Sequence, residues 1–228
     1  IPEITYLTDM SVHPLWVASD IDAHVALHAV PAAEAASLGA RGVEVLGPQT
    51  SPCFAPTTPA LRDETRKQFD LPRDQRLALV VAGSWGVGDV TSTVEDVLAT
   101  GVATPVVVCG SNPALRRTLQ SRGGVHTFGW VDDMAALMRA CDLVIQNAGG
   151  LTSLEARASG LPVITYRALP GHGETNAAAL ELAEWAPWAR RTEDLGRLIE
   201  RAVGHSSVPL AVPDFPWERL AGRAPVLV

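Results

Sequence analysis

From residue 77 onward one pattern recurs: a short apolar run rich in β-branched residues, a turn of glycine and small polar residues, then an amphipathic helix. The run 77–82 leads into Gly83-Ser84-Trp85-Gly86-Val87-Gly88 and a helix through about residue 99. The run 106–109 leads to Gly110-Ser111-Asn112-Pro113, where a small polar residue suits the N-cap and Pro113 the first helical turn. Residues 125–128 pass through Asp132 and Asp133 to a helix over 134–140. Residues 143–146 lead through Asn147-Ala148-Gly149-Gly150 to a helix ending near 160, and 162–166 lead to a longer glycine-rich loop and another helix. Strands alternating with helices at this spacing build a parallel sheet covered on both faces, so the expected fold is α/β, a Rossmann-like doubly wound sheet. Such sheets hold ligands beyond the carboxyl ends of their strands. The strand-to-helix turns are therefore where function is sought.

Ahead of this domain, apolar runs at 4–7, 23–29 and 43–46 and a helical stretch over 32–38 give three strands and one helix. That is too little to close a core. Residues 1–50 read as the end of an incomplete N-terminal α/β domain, expected to pack on the second domain, swap between chains or recruit a partner. Residues 51–59 read as a linker, in a stretch with Pro48, Pro52, Pro56 and Pro59, and 61–69 as a charged helix opening a domain over 60–204. The Pro-rich residues 205–228 read as an extended arm.

Charge narrows the partners. The 228 residues carry 18 Lys+Arg against 25 Asp+Glu, a net −7, with no basic run. Such a chain has no field of its own with which to grip nucleic acid or anionic lipid. Cys53, Cys109 and Cys141 lack zinc-site spacing and read as small buried residues in a reducing compartment. No apolar run approaches the roughly 20 residues a bilayer span needs. No charged region followed by an apolar one comes after Ile1, so no secretory signal is expected in this stretch.

Several turns carry chemistry-bearing residues. The turn 83–88 follows a buried strand and opens a helix, where backbone N–H groups can face a phosphate; an ordinary tight turn reads equally well. It lacks the Gly-Lys-Ser/Thr of a P-loop and the GxGxxG spacing. In the turn at 147–150, Thr152 and Glu155 fit a Thr-x-x-Glu capping box, which by itself explains both. The other reading has the Glu155 carboxylate accepting two hydrogen bonds from a ribose diol. The loop Pro170-Gly171-His172-Gly173-Glu174-Thr175-Asn176 can bind sugar hydroxyls or simply be solvated. His13, beside Pro14 and just after the first strand, is the candidate general acid or base.

Taken in order, these segments resemble the GT-B glycosyltransferases, in particular the group of monogalactosyldiacylglycerol synthases, processive diacylglycerol glucosyltransferases and the lipid II N-acetylglucosaminyltransferase. Thr8-Asp9-(x)3-His13-(x)2-Trp16 is similar to a TD-x-x-x-H-x-x-W stretch of the glycolipid synthases, and 131–137 to the run beside a uracil pocket. Leu151-Thr152-(x)2-Glu155 resembles a helix start that holds diphosphate and ribose, and Pro170-Gly171-His172-(x)3-Asn176 a donor-sugar loop. The resemblance implies that Ser84 and the backbone of Trp85 and Gly86 face phosphates, with Trp130 and Val131 at the base. It further implies that Gly149, Gly150, Leu151 and Thr152 hold the diphosphate, Glu155 the ribose, and His172, Glu174 and Asn176 the sugar side.

The implied activity is inverting, metal-independent transfer of a hexose or N-acetylhexosamine from a UDP-sugar to a lipid-like or other hydroxyl acceptor, with no cofactor. The implied location is cytoplasmic, in peripheral contact with the membrane's inner face. His172-Gly173 stands where the family loop has Gln-Glu, which leaves the sugar open, and the family's N-terminal glycine-rich loop has no counterpart here. Two rivals remain at this stage: a non-catalytic nucleotide-binding or partner-docking module, and a UDP-sugar 2-epimerase.

Overall fold

The computed structural model describes residues 3–81, 83, 85–147, 149–203 and 207–214. The chain divides into two compact units, one of residues 1–50 with 211–228 and one of residues 51–210.

In the first unit, β1 (Ile4–Leu7), β2 (Ala23–Ala26) and β3 (Val43–Val45) form a parallel sheet in the order β1-β2-β3. Helix α1 spans Ala29–Ser37 and starts three residues before the expected 32. The cause is His28, whose ring Nδ1 accepts from Val30 N at 3.2 Å and caps the helix. Leu7, Val12, Ala26 and Ala35 make its small core. In the same unit Gln49 Nε2 donates to Pro213 O at 2.9 Å, so the end of the described arm lies against the stretch after β3.

The second unit holds a six-stranded, all-parallel sheet. Its strands are β4 (Leu77–Val81), β5 (Thr104–Val108), β6 (His126–Phe128), β7 (Leu143–Gln146), β8 (Val163–Tyr166) and β9 (Trp188–Ala189), in the order β6-β5-β4-β7-β8-β9. In chain order that is 3-2-1-4-5-6, the doubly wound dinucleotide-fold order, which reverses direction between β4 and β7. Its helices are α2 (Pro59–Gln68), α3 (Val90–Thr100), α4 (Pro113–Gln120), α5 (Met134–Ala140), α6 (Leu151–Ala158), α7 (His172–Leu182) and α8 (Thr192–Val203).

Both sheet faces are covered, as the continuous apolar runs require. Ala78, Val80, Val107, Ile145 and Ile164 point to the face packed by Val94 and Val97 of α3 and by Leu195 and Ile199 of α8. Their alternates Leu79, Val106 and Val144 are buried on the other face. Several local expectations differ from the fold. Thr58 caps α2, its Oγ1 accepting from Leu61 N at 3.2 Å, so the helix takes in Pro59 from the expected linker. Strand β9 and helix α8 had no counterpart in the sequence reading. Cys109 and Cys141 are buried, but Cys53 is exposed, in the loop before α2. Residues 207–214 form no helix or strand; Ser207 Oγ donates to Gly160 O at 2.6 Å and Leu210 N to Arg157 O at 3.0 Å. Among the described residues no helix is long and apolar enough to cross a membrane.

Candidate functional site

The strand order reverses between β4 and β7, the switch point at which doubly wound sheets take their ligands, in a crevice beyond the carboxyl ends of the strands. The turn after β4 is tied to its neighbours on both sides. Asn112 Nδ2, in the turn after β5, donates to Trp85 O at 3.3 Å. From the turn after β7, Asn147 Nδ2 donates to Val87 O at 2.7 Å, and Asn147 O accepts from Leu169 N, in the loop after β8, at 2.8 Å. Asn147 opens the turn read from the sequence, but only the strand order brings it against Val87. Ser84, an expected phosphate contact, lies outside the described residues.

Among the described glycines of the turn after β4, Gly88 is the most tightly placed. Its φ is +96°, and a Cβ there would meet Asn147 Nδ2 at 2.5 Å and Leu169 Cδ2 at 3.1 Å. Gly88→Ala is expected to cost about 1–2 kcal/mol from the left-handed backbone alone and to push the two turns apart. Thermal unfolding together with a nucleotide titration checks it. Unchanged values in both would mean the loop refolds around the methyl at no cost.

Helix α6 starts differently from α3, α4 and α5. Helices α3, α4 and α5 are capped by Asp89, Asn112 and Asp133, whose side chains accept from Ser92 N, Leu115 N and Ala136 N. The N-cap of α6 is Gly150, and no side chain caps it. An uncapped helix start with its positive dipole end at the crevice is suited to an anion. Gly149 lies so close to the Gln146 carboxamide that a Cβ there would overlap it.

The capping-box reading of Thr152 and Glu155 is overturned by the same boundary. With Gly150 at the cap, Thr152 is the second helical residue and Glu155 the fifth, two residues beyond the third position from which a side chain reaches back to the cap. Ser153 Oγ instead donates to Gly149 O at 2.7 Å. Glu155 is half-buried, its carboxylate has no hydrogen bond or ion pair with any other described residue, and burial pushes that carboxyl above the usual carboxylate range.

Large apolar side chains stand out along the carboxyl edge of the sheet: Trp85 at 69% exposure, Val87 at 52%, Trp130 at 64% and Leu151 at 54%. They come from the turns after β4, β6 and β7, the turns the sheet order brings to one edge. Trp130 Nε1 donates to Asp132 Oδ1 at 3.0 Å, and Val131 is half-buried between them in sequence. Asp133 caps α5, its Oδ1 accepting from Ala136 N at 2.8 Å. Among the described residues no group of three His, Cys, Asp or Glu side chains is arranged to hold a metal.

The segment 170–176 departs from the expected polar loop, because α7 begins at His172 with Gly171 as its cap. Gly171 has φ +80°, and its N–H points to Glu174 Oε2 at 3.4 Å. His172 is half-buried at the helix start, Glu174 is exposed, and Asn176 is fully enclosed together with Gly173 and Ala177. Helical winding thus turns Asn176 toward the interior of the unit. In the first unit, His13 caps the single 3-10 turn Pro14–Trp16, its Nδ1 accepting from Leu15 N at 3.2 Å and its ring 5.9 Å from that of Trp16.

Strand order and switch-point turns together define a Rossmann-like, doubly wound α/β unit. Residues 77–195 match the family described as Glycosyl transferases group 1, and the chain belongs to that family. The chain is 30% identical over 203 residues to the processive diacylglycerol beta-glucosyltransferase of Bacillus pumilus (strain SAFR-032), covering 86% of this chain and 52% of that protein. It is 29% identical over 189 residues to the Bacillus subtilis (strain 168) protein of the same name, covering 79% and 49%. It therefore spans about half the length of the curated relatives it matches. Among solved structures it is similar to WaaG, a glycosyltransferase involved in lipopolysaccharide biosynthesis, with TM-score 0.54 and 25% identity over 80% of this chain and 54% of that one. Anabaena HepE in complex with UDP and glucose shares the fold at TM-score 0.59 and 19% identity, over 89% and 62%.

Proposed function

We propose that the unit over 51–210 is the donor-binding half of a glycosyltransferase that moves a hexose or N-acetylhexosamine from a UDP-sugar to a hydroxyl acceptor of lipid type. The observation that carries this reading is the uncapped start of α6 beside the turn after β4, with the unpartnered Glu155 one turn further on. A diphosphate at the helix start places a ribose within reach of that carboxylate. Trp130 and Val131 then border the base. The relatives named as diacylglycerol glucosyltransferases support the acceptor class, and HepE, which holds UDP and glucose on the same fold, supports the donor class.

In the proposed reaction an acceptor hydroxyl oxygen bonds to the anomeric carbon from the face opposite the nucleotide. The bond from that carbon to the diphosphate oxygen breaks, so the configuration inverts. The hydroxyl proton passes to a base, for which His13 is the candidate in this chain. Negative charge grows on the leaving diphosphate, where the N-terminal dipole of α6 stabilises it without a metal.

Titration calorimetry with UDP, ADP and GDP tests the donor assignment. UDP is expected to bind at least about tenfold more tightly than the other two, since a base-edge hydrogen-bond mismatch leaves polar groups unpaired. Equal binding of all three, or none, would overturn the assignment.

A further inference from the structure

Asp89 ends the turn after β4 and caps α3, its Oδ1 accepting from Ser92 N at 3.1 Å. Its other oxygen is taken from across the sheet. Arg167, the first residue after β8, places Nη1 3.0 Å from Asp89 Oδ2. The same guanidinium reaches Asp96 Oδ2, two turns along α3, through Nε at 3.2 Å and Nη2 at 2.8 Å. Asp96 Oδ2 also accepts from the Tyr166 hydroxyl at 2.7 Å, and that hydroxyl lies 2.9 Å from Thr192 Oγ1 at the start of α8. One side chain thus joins the carboxyl edges of β4 and β8, and Tyr166 extends the link to the segment after β9.

The backbone of Arg167 is in the left-handed region, with φ +50°. Glycine adopts that conformation freely, whereas any side chain there is strained. The pair with Asp89 adds little to folding, since the two side chains are 34% and 53% exposed, and the less exposed pair with Asp96, whose side chain is 20% exposed, is offset by the strained backbone that carries the arginine. What the arginine does provide is geometry. It fixes the end of the glycine-rich turn relative to the loop that runs into Pro170, Gly171 and His172.

We infer that Arg167 is a positioning residue of the donor site, holding the phosphate-side turn after β4 and the sugar-side loop after β8 at a set separation through Asp89 and Asp96. Asn147 does the equivalent work from β7, through Val87 O and Leu169 N. The inference rests on the donor-site reading above.

Arg167→Gly tests it in the whole chain, because glycine relieves the backbone while removing the guanidinium. Asp89→Asn is its companion: asparagine caps a helix as well as aspartate but cannot form the ion pair. Three readouts are used, namely thermal unfolding, UDP calorimetry, and hydrogen exchange over residues 85–93. Arg167→Gly is expected to leave Tm within about 2 °C, as for an exposed substitution, to weaken UDP binding roughly tenfold, within the range for residues acting through a neighbour, and to speed exchange over 85–93. Arg167→Lys recovers part of the affinity. The double variant with Asp89→Asn binds no more weakly than Arg167→Gly alone, as residues of one network do. If Arg167→Gly binds UDP like the parent, with exchange unchanged or only Tm lowered, the inference is overturned. If the parent binds no UDP while exchange over 85–93 still accelerates in Arg167→Gly, the clasp stands and the donor-site reading falls.

Discussion

Replacing Asp142 by alanine is expected to remove about 3–5 kcal/mol from the folding of the second unit, the range for breaking a buried ion pair by deleting one partner. Asp142 sits between α5 and β7, at the amino edge of the sheet. Its Oδ2 accepts from Leu77 N at 2.7 Å and from Arg66 Nη2 at 2.8 Å, and its Oδ1 from Arg62 Nη1 at 2.9 Å. Arg66 is only 4% exposed, and its other donors go to main-chain oxygens: Nε to Ala140 O at 2.8 Å, Nη1 to Arg73 O at 2.8 Å and to Gln75 O at 3.1 Å. These carbonyls satisfy the guanidinium's hydrogens but supply no countercharge. Without Asp142, a buried cation and the Leu77 amide lose their partner together.

A loss of that size lowers Tm by about 10 °C in a unit of this length, which thermal and urea unfolding will read. Arg66→Met combined with Asp142→Asn is expected to recover more than half of it, since the cation is gone and the Asn oxygen still accepts from Leu77 N. A shift under about 2 °C for Asp142→Ala, the size of an ordinary surface change, would show that water reaches Arg66 freely. The knot lies at the sheet edge opposite the candidate site, so UDP affinity of the folded fraction should not move.

Local signals in the sequence carried much of this fold, and the reason is visible in individual elements. Four of the five apolar runs from 77 to 166 are strands with both faces buried, which leaves a continuous apolar string bounded by turn residues, and the fifth is the half-buried edge strand β6. Asn112 with Pro113, and Asp133, are legible as helix starts because capping is a contact within three residues. Strand β9 is only Trp188–Ala189, too short to leave a pattern. Other features are contacts between distant segments. Arg66 lies in a helix that reads as charged and solvated, and nothing nearby in the chain shows that it is buried against Asp142. Arg167 and Asp96 are 71 residues apart.

The candidate site was legible in position but not in detail. Glycine turns at the ends of β4 and β7 are visible in the sequence. Whether Thr152 caps α6 depends on where that helix begins, and two residues of register reverse the answer. The inward turn of Asn176 likewise follows from α7 starting at His172 rather than after it.

That register makes Glu155→Gln the sharpest test of the proposed function. A carboxylate serving as a helix cap would already be committed to the backbone. Glu155 is the fifth residue of α6, half-buried and unpartnered among the described residues, so its hydrogen-bonding capacity is unused in the free protein. If it holds the ribose diol, Glu155→Gln is expected to weaken UDP binding by about 1–3 kcal/mol, the range for a lost charge-assisted hydrogen bond, or roughly fivefold to 150-fold. Folding is expected to respond in the opposite sense. Burial raises the carboxyl pKa in the folded state, so between the ordinary carboxylate pKa and the raised value the native protein binds more protons than the unfolded chain. The resulting contribution to stability is fully present below the unfolded value and is lost as pH rises through the folded one. A neutral glutamine has no such loss, and the ligand-free variant should be as stable as the parent at pH 7 or slightly more so. Binding carries the complementary pH signature. The ionised carboxylate is the form that accepts both ribose hydroxyls, so the parent's advantage over Glu155→Gln should grow as pH rises through the raised pKa. Comparing the two proteins at each pH cancels the titration of the nucleotide's own phosphate. Equal UDP affinity at every pH would remove Glu155 from the site, and a loss of stability without a loss of affinity would return it to a purely structural part of α6.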